Sequence, residues 1–174
     1  KVAVTALGSE HGEDEVYNDP NFKAGLIDTA NSLHVGSVWD FKNRIGTLAN
    51  KVEGNLKKAV ESLEEGESWA LKPSFVDGNE YMLKPAIKWG VKAGSFCHMN
   101  ELFGPVLSVM RASSLKDAIA LVNQTGYGLT SGIESLDERE VAYWRKNLKA
   151  GNLYINRGTT GAIVLRQPFG GLGK

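Results

Sequence analysis

What this sequence has little of narrows its function first. It contains one cysteine, Cys97, which excludes an internal disulfide framework and any cysteine-rich zinc site. A single thiol suits a reducing, cytoplasmic compartment. Its three histidines, His11, His34 and His98, are scattered without metal-ligand spacing, so no metal is expected. Lysine plus arginine equals aspartate plus glutamate, at 20 each, so the formal net charge is zero. No basic field exists to draw in nucleic acid or an anionic membrane. No apolar run approaches the ~20 residues of a transmembrane span, and no segment reads as a secretory leader. Internal repeats and low-complexity segments are absent as well.

What is present is an ordinary globular composition. The 174 residues are 42% hydrophobic and 23% charged, enough for a core and a normal polar surface. A domain of this length buries roughly 70% of the surface its unfolded chain exposes. The chain enters an apolar alternating run at once after Lys1 and stops within a motif at Lys174. Both ends read as cut from a longer protein.

Local patterns predict the elements. Residues 2–7 read as a strand. Asp19-Pro20 starts a helix, aspartate as cap and proline at the first helical position, with Phe22, Leu26, Ile27, Ala30 and Leu33 at helical spacing until Val35-Gly36. Residues 36–51 are irregular. A helix follows over 53–63, with Leu56, Val60 and Leu63 on its apolar face, then strands over 68–72 and 81–91. In the second half the rhythm is clearer. A strand over 106–110 leads to a helix capped by Ser114 that carries Ala118, Leu121 and Val122 inward. A strand over 129–133 leads to a helix capped by Asp137, with Val141, Trp144 and Leu148 inward. Gly151 and a strand over 153–155 follow. Strand, helix, strand, helix, strand predicts an α/β unit with a parallel sheet. Ligands in such sheets sit outside the carboxyl ends of the strands, which points to the turns near Gly104, Glu134 and Asn156.

Three segments carry residues suited to binding. Glu101-Leu102-Phe103-Gly104-Pro105-Val106 offers a carboxylate for hydroxyl groups, a flat aromatic face and a sharp Gly-Pro turn. Taken singly, an ordinary loop with one solvated acid explains it better. Asn156 to Val164 is rich in small residues, and successive N–H groups in such a loop can cradle an anion. A plain glycine-rich connection is the stronger reading of it in isolation. In Gln167-Pro168-Phe169-Gly170-Gly171 the proline favours extended chain and the phenylalanine must pack somewhere.

Taken together, the order and spacing of these segments resemble the aldehyde dehydrogenase superfamily. The residues that carry the resemblance are Glu101 to Val106, Tyr127-Gly128-Leu129, Gly151 to Asn156 and Pro168 to Gly171. The stretch from Val35 to Asp40 is similar, more loosely, to the segment that follows the nucleophile in that family. Thr160 to Val164, running into Gln167 to Gly171, resembles the substrate-anchor loop of Δ1-pyrroline-5-carboxylate dehydrogenases. Those enzymes occur alone or fused to proline dehydrogenase in bifunctional, PutA-type chains.

The resemblance implies an α/β fold: a three-layer αβα catalytic domain with a mostly parallel sheet, truncated at both ends. Residues 1–174 are then a partial catalytic domain beginning just past the expected cysteine segment, with no dinucleotide-binding domain. It implies oxidation of L-glutamate γ-semialdehyde to L-glutamate with NAD, or alternatively NADP. Glu101 would bind the nicotinamide-ribose hydroxyls and Phe103 would flank the nicotinamide. The amides of Gly161 and Ala162 would hold the substrate α-carboxylate, with Phe169 against its aliphatic part. Cys97 is not assigned to catalysis, because the family nucleophile sits in a G-Q-x-C segment that this sequence lacks, so the chain by itself is expected to be inactive. An amino-acid aldehyde is the expected partner, and a homo-oligomeric parent, fused or not to proline dehydrogenase, is implied. The competing readings are another aldehyde, including a phosphorylated one, and a non-catalytic scaffold module.

Overall fold

Asp19 caps the first long helix as its chemistry requires: the carboxylate Oδ1 accepts a hydrogen bond from the Asn21 amide at 2.8 Å. The structure, a computed structural model, describes residues 2–5, 15–163 and 165–174; Ala6 and Leu7 of the expected first strand lie outside them. The chain divides into two compact units, one running from Glu15 to Arg111 together with the first strand, the other from Ala112 to Lys174.

The first unit contains β1 (Val2–Thr5), α1 (Glu15–Asn18), α2 (Pro20–Asn31), α3 (Gly54–Glu61), β2 (Ser68–Leu71), β3 (Ala86–Trp89), α4 (Phe96–Met99) and β4 (Val106–Arg111). Its sheet has the order β1-β4-β3-β2. The β1–β4 and β3–β4 pairs are parallel and β2–β3 is antiparallel. Every residue of β3 is buried, so its near-continuous apolar pattern is that of a strand covered on both faces. Ile87, Trp89 and Val109 form the core, with Leu26, Ile27 and Ala30 of α2 packed on it. Fully buried Ile87 and Val109 each contribute about 1.5–3 kcal/mol by leaving water.

Three local expectations need correction here. The strand expected over 81–91 shrinks to Ala86–Trp89. Pro85 has no N–H for a ladder, and before it the chain turns, the Met82 amide donating to the Asn79 carbonyl at 2.8 Å. On α3 the buried residues are Leu56 and Ala59, whereas Leu63 lies beyond the helix and is 46% exposed. α2 ends at Asn31 rather than near Val35, which instead bridges Ile45.

The second unit contains α5 (Leu115–Gln124), β5 (Tyr127–Gly128), β6 (Thr130–Ile133), α6 (Glu138–Asn147), β7 (Asn152–Ile155) and β8 (Leu172–Gly173). Ser114 caps α5 by accepting from the Asp117 amide at 3.1 Å, and Asp137 caps α6 by accepting from the Arg139 amide at 2.8 Å. Arg139 also grips the Asp137 carboxylate, and that side-chain hydrogen bond is the main reason its pKa is lowered to about 2. β6 and β7 are parallel and joined through α6. Ile119, Trp144 and Leu148 form the core of this unit, while Val122 and Val141 are only half-buried. Among the described residues β4 pairs with β1 and β3, and β6 pairs with β7, so the expected run of strands lies in two sheets rather than one. Periodicity identifies an element but not its neighbour. The pairing is mostly parallel all the same.

Candidate functional site

The turn that carries Glu101 and Phe103 is held by α3. Leu102 is buried between two exposed neighbours. The Asn55 amide nitrogen donates to the Glu101 carbonyl at 3.5 Å. A Cβ placed on Gly104 would lie 2.6 Å from Leu56 Cδ1, so a larger residue there would have to displace the Leu56 side chain. Phe103 has φ of 50°, a left-handed conformation that costs a side chain of this size about 1–3 kcal/mol. It is 83% exposed. Glu101 and Phe103 therefore share one turn, each presenting its side chain to solvent, one with an anionic acceptor and the other with an apolar face. Gly104 opens β4 at its amino end, not at a carboxyl end as the strand pattern suggested.

Glu134 and Asn156 do follow the carboxyl ends of β6 and β7. Asn156, with φ of 52°, fastens the two ends together. Its Nδ2 donates to the Ser135 carbonyl at 2.9 Å and its Oδ1 accepts from the Ser135 amide at 2.8 Å. The loop beyond it starts with Arg157, whose guanidinium lies 5.1 Å from the Tyr154 ring centroid. Gly161 has φ of 101°, a conformation that strongly favours glycine. Neither the Gly161 nor the Ala162 amide has a hydrogen-bond acceptor among the described residues. Further along, Phe169 is 53% exposed.

The Phe169–Gly171 segment is docked at its far end. Asn152 Nδ2 donates to the carbonyls of Leu129 at 2.8 Å and Gly170 at 2.9 Å. A Cβ on Gly151 would collide with the Gly170 carbonyl, so glycine there allows backbone to lie on backbone. Past it, β8 pairs antiparallel with β5. Gly161, Ala162 and Phe169 thus share one segment anchored at both ends. Asn152 and Asn156, four residues apart at the two ends of a short strand, are the residues that reading by motif understated. Their spacing across Leu153–Ile155 was the available signal.

Cys97 is placed elsewhere. It is 2% exposed, on α4, and Lys88 Nζ donates to its sulfur at 3.3 Å. Burial pushes its thiol pKa up, with Lys88 pulling the other way. A buried thiol held protonated is a poor nucleophile, because the thiolate is the attacking form. Among the described residues no group of three or more acidic, histidine or cysteine side chains could hold a metal ion. No helix among them is long and apolar enough to cross a membrane.

Comparison with known proteins identifies the family and the fold. The aldehyde dehydrogenase family matches residues 13–174. The 2,5-dioxopentanoate dehydrogenase of Saccharolobus solfataricus is 37% identical over 154 residues, covering 86% of this chain and 31% of that protein. The 1-pyrroline-5-carboxylate dehydrogenase of Bacillus subtilis is 31% identical over 160 residues, covering 90% of this chain and 30% of that one. The chain spans about a third of the length of these curated relatives. Among solved structures, proline utilization A (PutA) from Corynebacterium freiburgense has a TM-score of 0.84 at 44% identity, covering 88% of this chain and 16% of that chain. A 1-pyrroline-5-carboxylate dehydrogenase from Thermus with bound NAD has a TM-score of 0.79 at 29% identity, covering 88% of this chain and 30% of that chain. The α/β elements described above are thus part of a known oxidoreductase fold, and the chain belongs to the aldehyde dehydrogenase family.

Proposed function

We propose that this chain is one part of an enzyme that oxidises L-glutamate γ-semialdehyde to L-glutamate with NAD. The observation that carries the reading is the loop at Gly161 and Ala162. Two successive amides stand without an acceptor among the described residues, at a backbone angle that suits glycine. Successive N–H groups of this kind hold a carboxylate. An amino-acid aldehyde needs that grip at one end while its aldehyde meets the nucleophile at the other. Phe169, half exposed, supplies an apolar face for the carbon chain between them.

On the other unit, the exposed Glu101 carboxylate suits the hydroxyls of a nicotinamide ribose, and Phe103 offers its ring to the nicotinamide. A carboxylate that accepts from hydroxyls beside an exposed apolar ring is the pair of groups a nicotinamide riboside would use. When bound, NAD supplies the hydride acceptor; Glu101 and Phe103 orient it and take no proton. The sole cysteine of the sequence is buried, so the thiolate that attacks the aldehyde comes from the remainder of the parent protein. The chain in isolation is inactive on this reading. A cytoplasmic, homo-oligomeric parent, fused or not to a proline dehydrogenase, belongs to the same proposal, and the likeness to proline utilization A supports the fused form.

The 2,5-dioxopentanoate dehydrogenase relative supports a second substrate reading. That aldehyde also carries a carboxylate at the far end of a short chain, so the same two amides would serve it.

The test uses the full-length parent. Gly161→Ala should raise KM for glutamate semialdehyde about tenfold or more and leave propionaldehyde, which has no carboxylate, nearly unchanged. Equal losses on both substrates would refute the anchor. NADH formation by the purified 174-residue chain would refute its inactivity, and faster turnover of 2,5-dioxopentanoate would favour the second reading.

A further inference from the structure

Arg157 is a cation with no counter-ion. Among the described residues no carboxylate pairs with its exposed guanidinium. A free arginine on a loop ordinarily ranges widely, because ordering its long side chain costs entropy. This one is held at both ends. Asn156, directly before it, ties the backbone to Ser135 with two hydrogen bonds, at 2.8 and 2.9 Å. At the other end the guanidinium carbon stands 5.1 Å from the centroid of the Tyr154 ring. That ring belongs to β7 and is 9% exposed, so it is a fixed platform, and a cation is attracted to an aromatic face.

The platform sets the guanidinium against Gly161. A Cβ built on Gly161 would lie 3.6 Å from Arg157 Nη2, and among the described residues no other atom outside the adjoining chain comes within 4 Å of it. Arg157 Nη2 thus lies beside the bend that carries the Gly161 and Ala162 amides. Neither amide has an acceptor among the described residues, and the guanidinium has no anion. Two amides offer dipoles but no net charge, and they fill two of the roughly four acceptor positions of a carboxylate. A guanidinium fork is shaped to take the positions that remain.

We propose that Arg157 is a specificity-determining residue, the charged member of the substrate anchor, which donates from its guanidinium to the carboxylate that the Gly161 and Ala162 amides hold. The proposal rests on the carboxylate reading of that loop given above and adds the group that makes the site choose acids. The amides alone would accept any small acceptor, a neutral amide or an ester carbonyl included. The guanidinium favours a full negative charge at the end of the chain away from the aldehyde. A neutral aldehyde gains nothing from it, because the cation then stays with water. Arg157 takes no proton and touches no reacting atom, so its effect falls on substrate binding and on the choice between substrates.

The test is steady-state kinetics on the full-length parent with glutamate semialdehyde and with propionaldehyde, at saturating NAD. Arg157→Met keeps an apolar side chain for the Tyr154 ring and removes the charge. It should raise KM for glutamate semialdehyde about 10–100-fold, the worth of one charge-assisted hydrogen bond, with kcat and the propionaldehyde constants nearly unchanged. Arg157→Lys should recover part of the loss, and guanidinium chloride below its unfolding range should recover part of the loss in Arg157→Ala. In the wild type, KM for glutamate semialdehyde should rise with ionic strength relative to that for propionaldehyde, and in Arg157→Met that dependence should flatten. Equal losses on both substrates would make Arg157 a structural residue and overturn the proposal. So would a wild-type KM ratio indifferent to salt, a measurement that needs no variant to fold. If Gly161→Ala separates the two substrates and Arg157→Met does not, the amides act alone and only this proposal falls. If neither separates them, the anchor reading falls with it.

Discussion

Asn152→Ala should free the Phe169–Gly171 segment from its sheet without melting the unit that carries it. Asn152 is buried, and its side chain makes two hydrogen bonds, to the Leu129 and Gly170 carbonyls. Leu129 O keeps the Asn152 amide as a donor at 3.0 Å after the change, whereas Gly170 O loses its side-chain donor. Each bond contributes about 0.5–1.5 kcal/mol net. Gly170 is exposed, so water replaces part of what is lost, leaving about 1–2 kcal/mol, or roughly a 5–30-fold change in local opening. Native-state amide exchange reads this directly. The Lys174 amide, bonded to the Gly126 carbonyl at 2.9 Å, should exchange faster by that factor. The Leu148 amide at the end of α6, bonded to Trp144 O at 2.9 Å, should not change. Asn152→Asp keeps the shape but faces a carboxylate with two carbonyl oxygens, and should lose more. If exchange at Lys174 is unaltered, or rises equally at Leu148, the docking role of Asn152 is wrong.

Lys88→Met leaves the buried Glu67 carboxylate without its cation and should cost about 3–5 kcal/mol in urea denaturation, most of it recovered in Lys88→Met/Glu67→Leu; a loss under about 1 kcal/mol would contradict the burial argument. Phe103→Gly relieves a left-handed phenylalanine, a gain of about 1–3 kcal/mol offset by about 0.5–1 kcal/mol of glycine entropy. It should leave the melting temperature unchanged or raised while weakening NAD binding by the parent in a fluorescence titration. Asp137 has its pKa lowered from 3.8 to about 2 by Arg139, so its contribution to α6 is present above 3.8 and is lost as pH falls through about 2. Helix circular dichroism of Asp137→Asn should be flatter than wild type across that window, and parallel acid curves for the two proteins would remove Asp137 as the cause.

The helix starts were readable because capping is local: Asp19, Ser114 and Asp137 each accept from an amide two or three residues ahead. The β6–α6–β7 crossover was readable for a related reason, as two short apolar runs around a capped amphipathic helix have few other ways to pack. What stayed hidden depends on neighbours distant in sequence. Leu63 fits the helical period as well as Ala59 does, but the helix ends first. Nothing in Ala86-Ile87-Lys88-Trp89 announces that Lys88 is buried, where Glu67, Ser62 and Cys97 accept from its ammonium. The motif positions Glu101, Phe103, Gly161, Ala162 and Phe169 are visible in order, while their supports are not. Nothing near Gly104 in sequence announces Leu56, and nothing near Gly151 announces Gly170.

Asn156 and Asn152 divide labour in a way that bears on how such an enzyme changes its diet. Each uses one side chain to tie off one end of residues 157–169, Asn156 at the β6–α6 turn and Asn152 at Gly170. The stretch between is thereby held at its two ends by side chains that lie outside it. If the amides at Gly161 and Ala162 are the proposed carboxylate anchor, substitutions around them would change the acid they accept without disturbing the sheet. A relative selected for a different acidic aldehyde would then be expected to keep both asparagines and rewrite what lies between them.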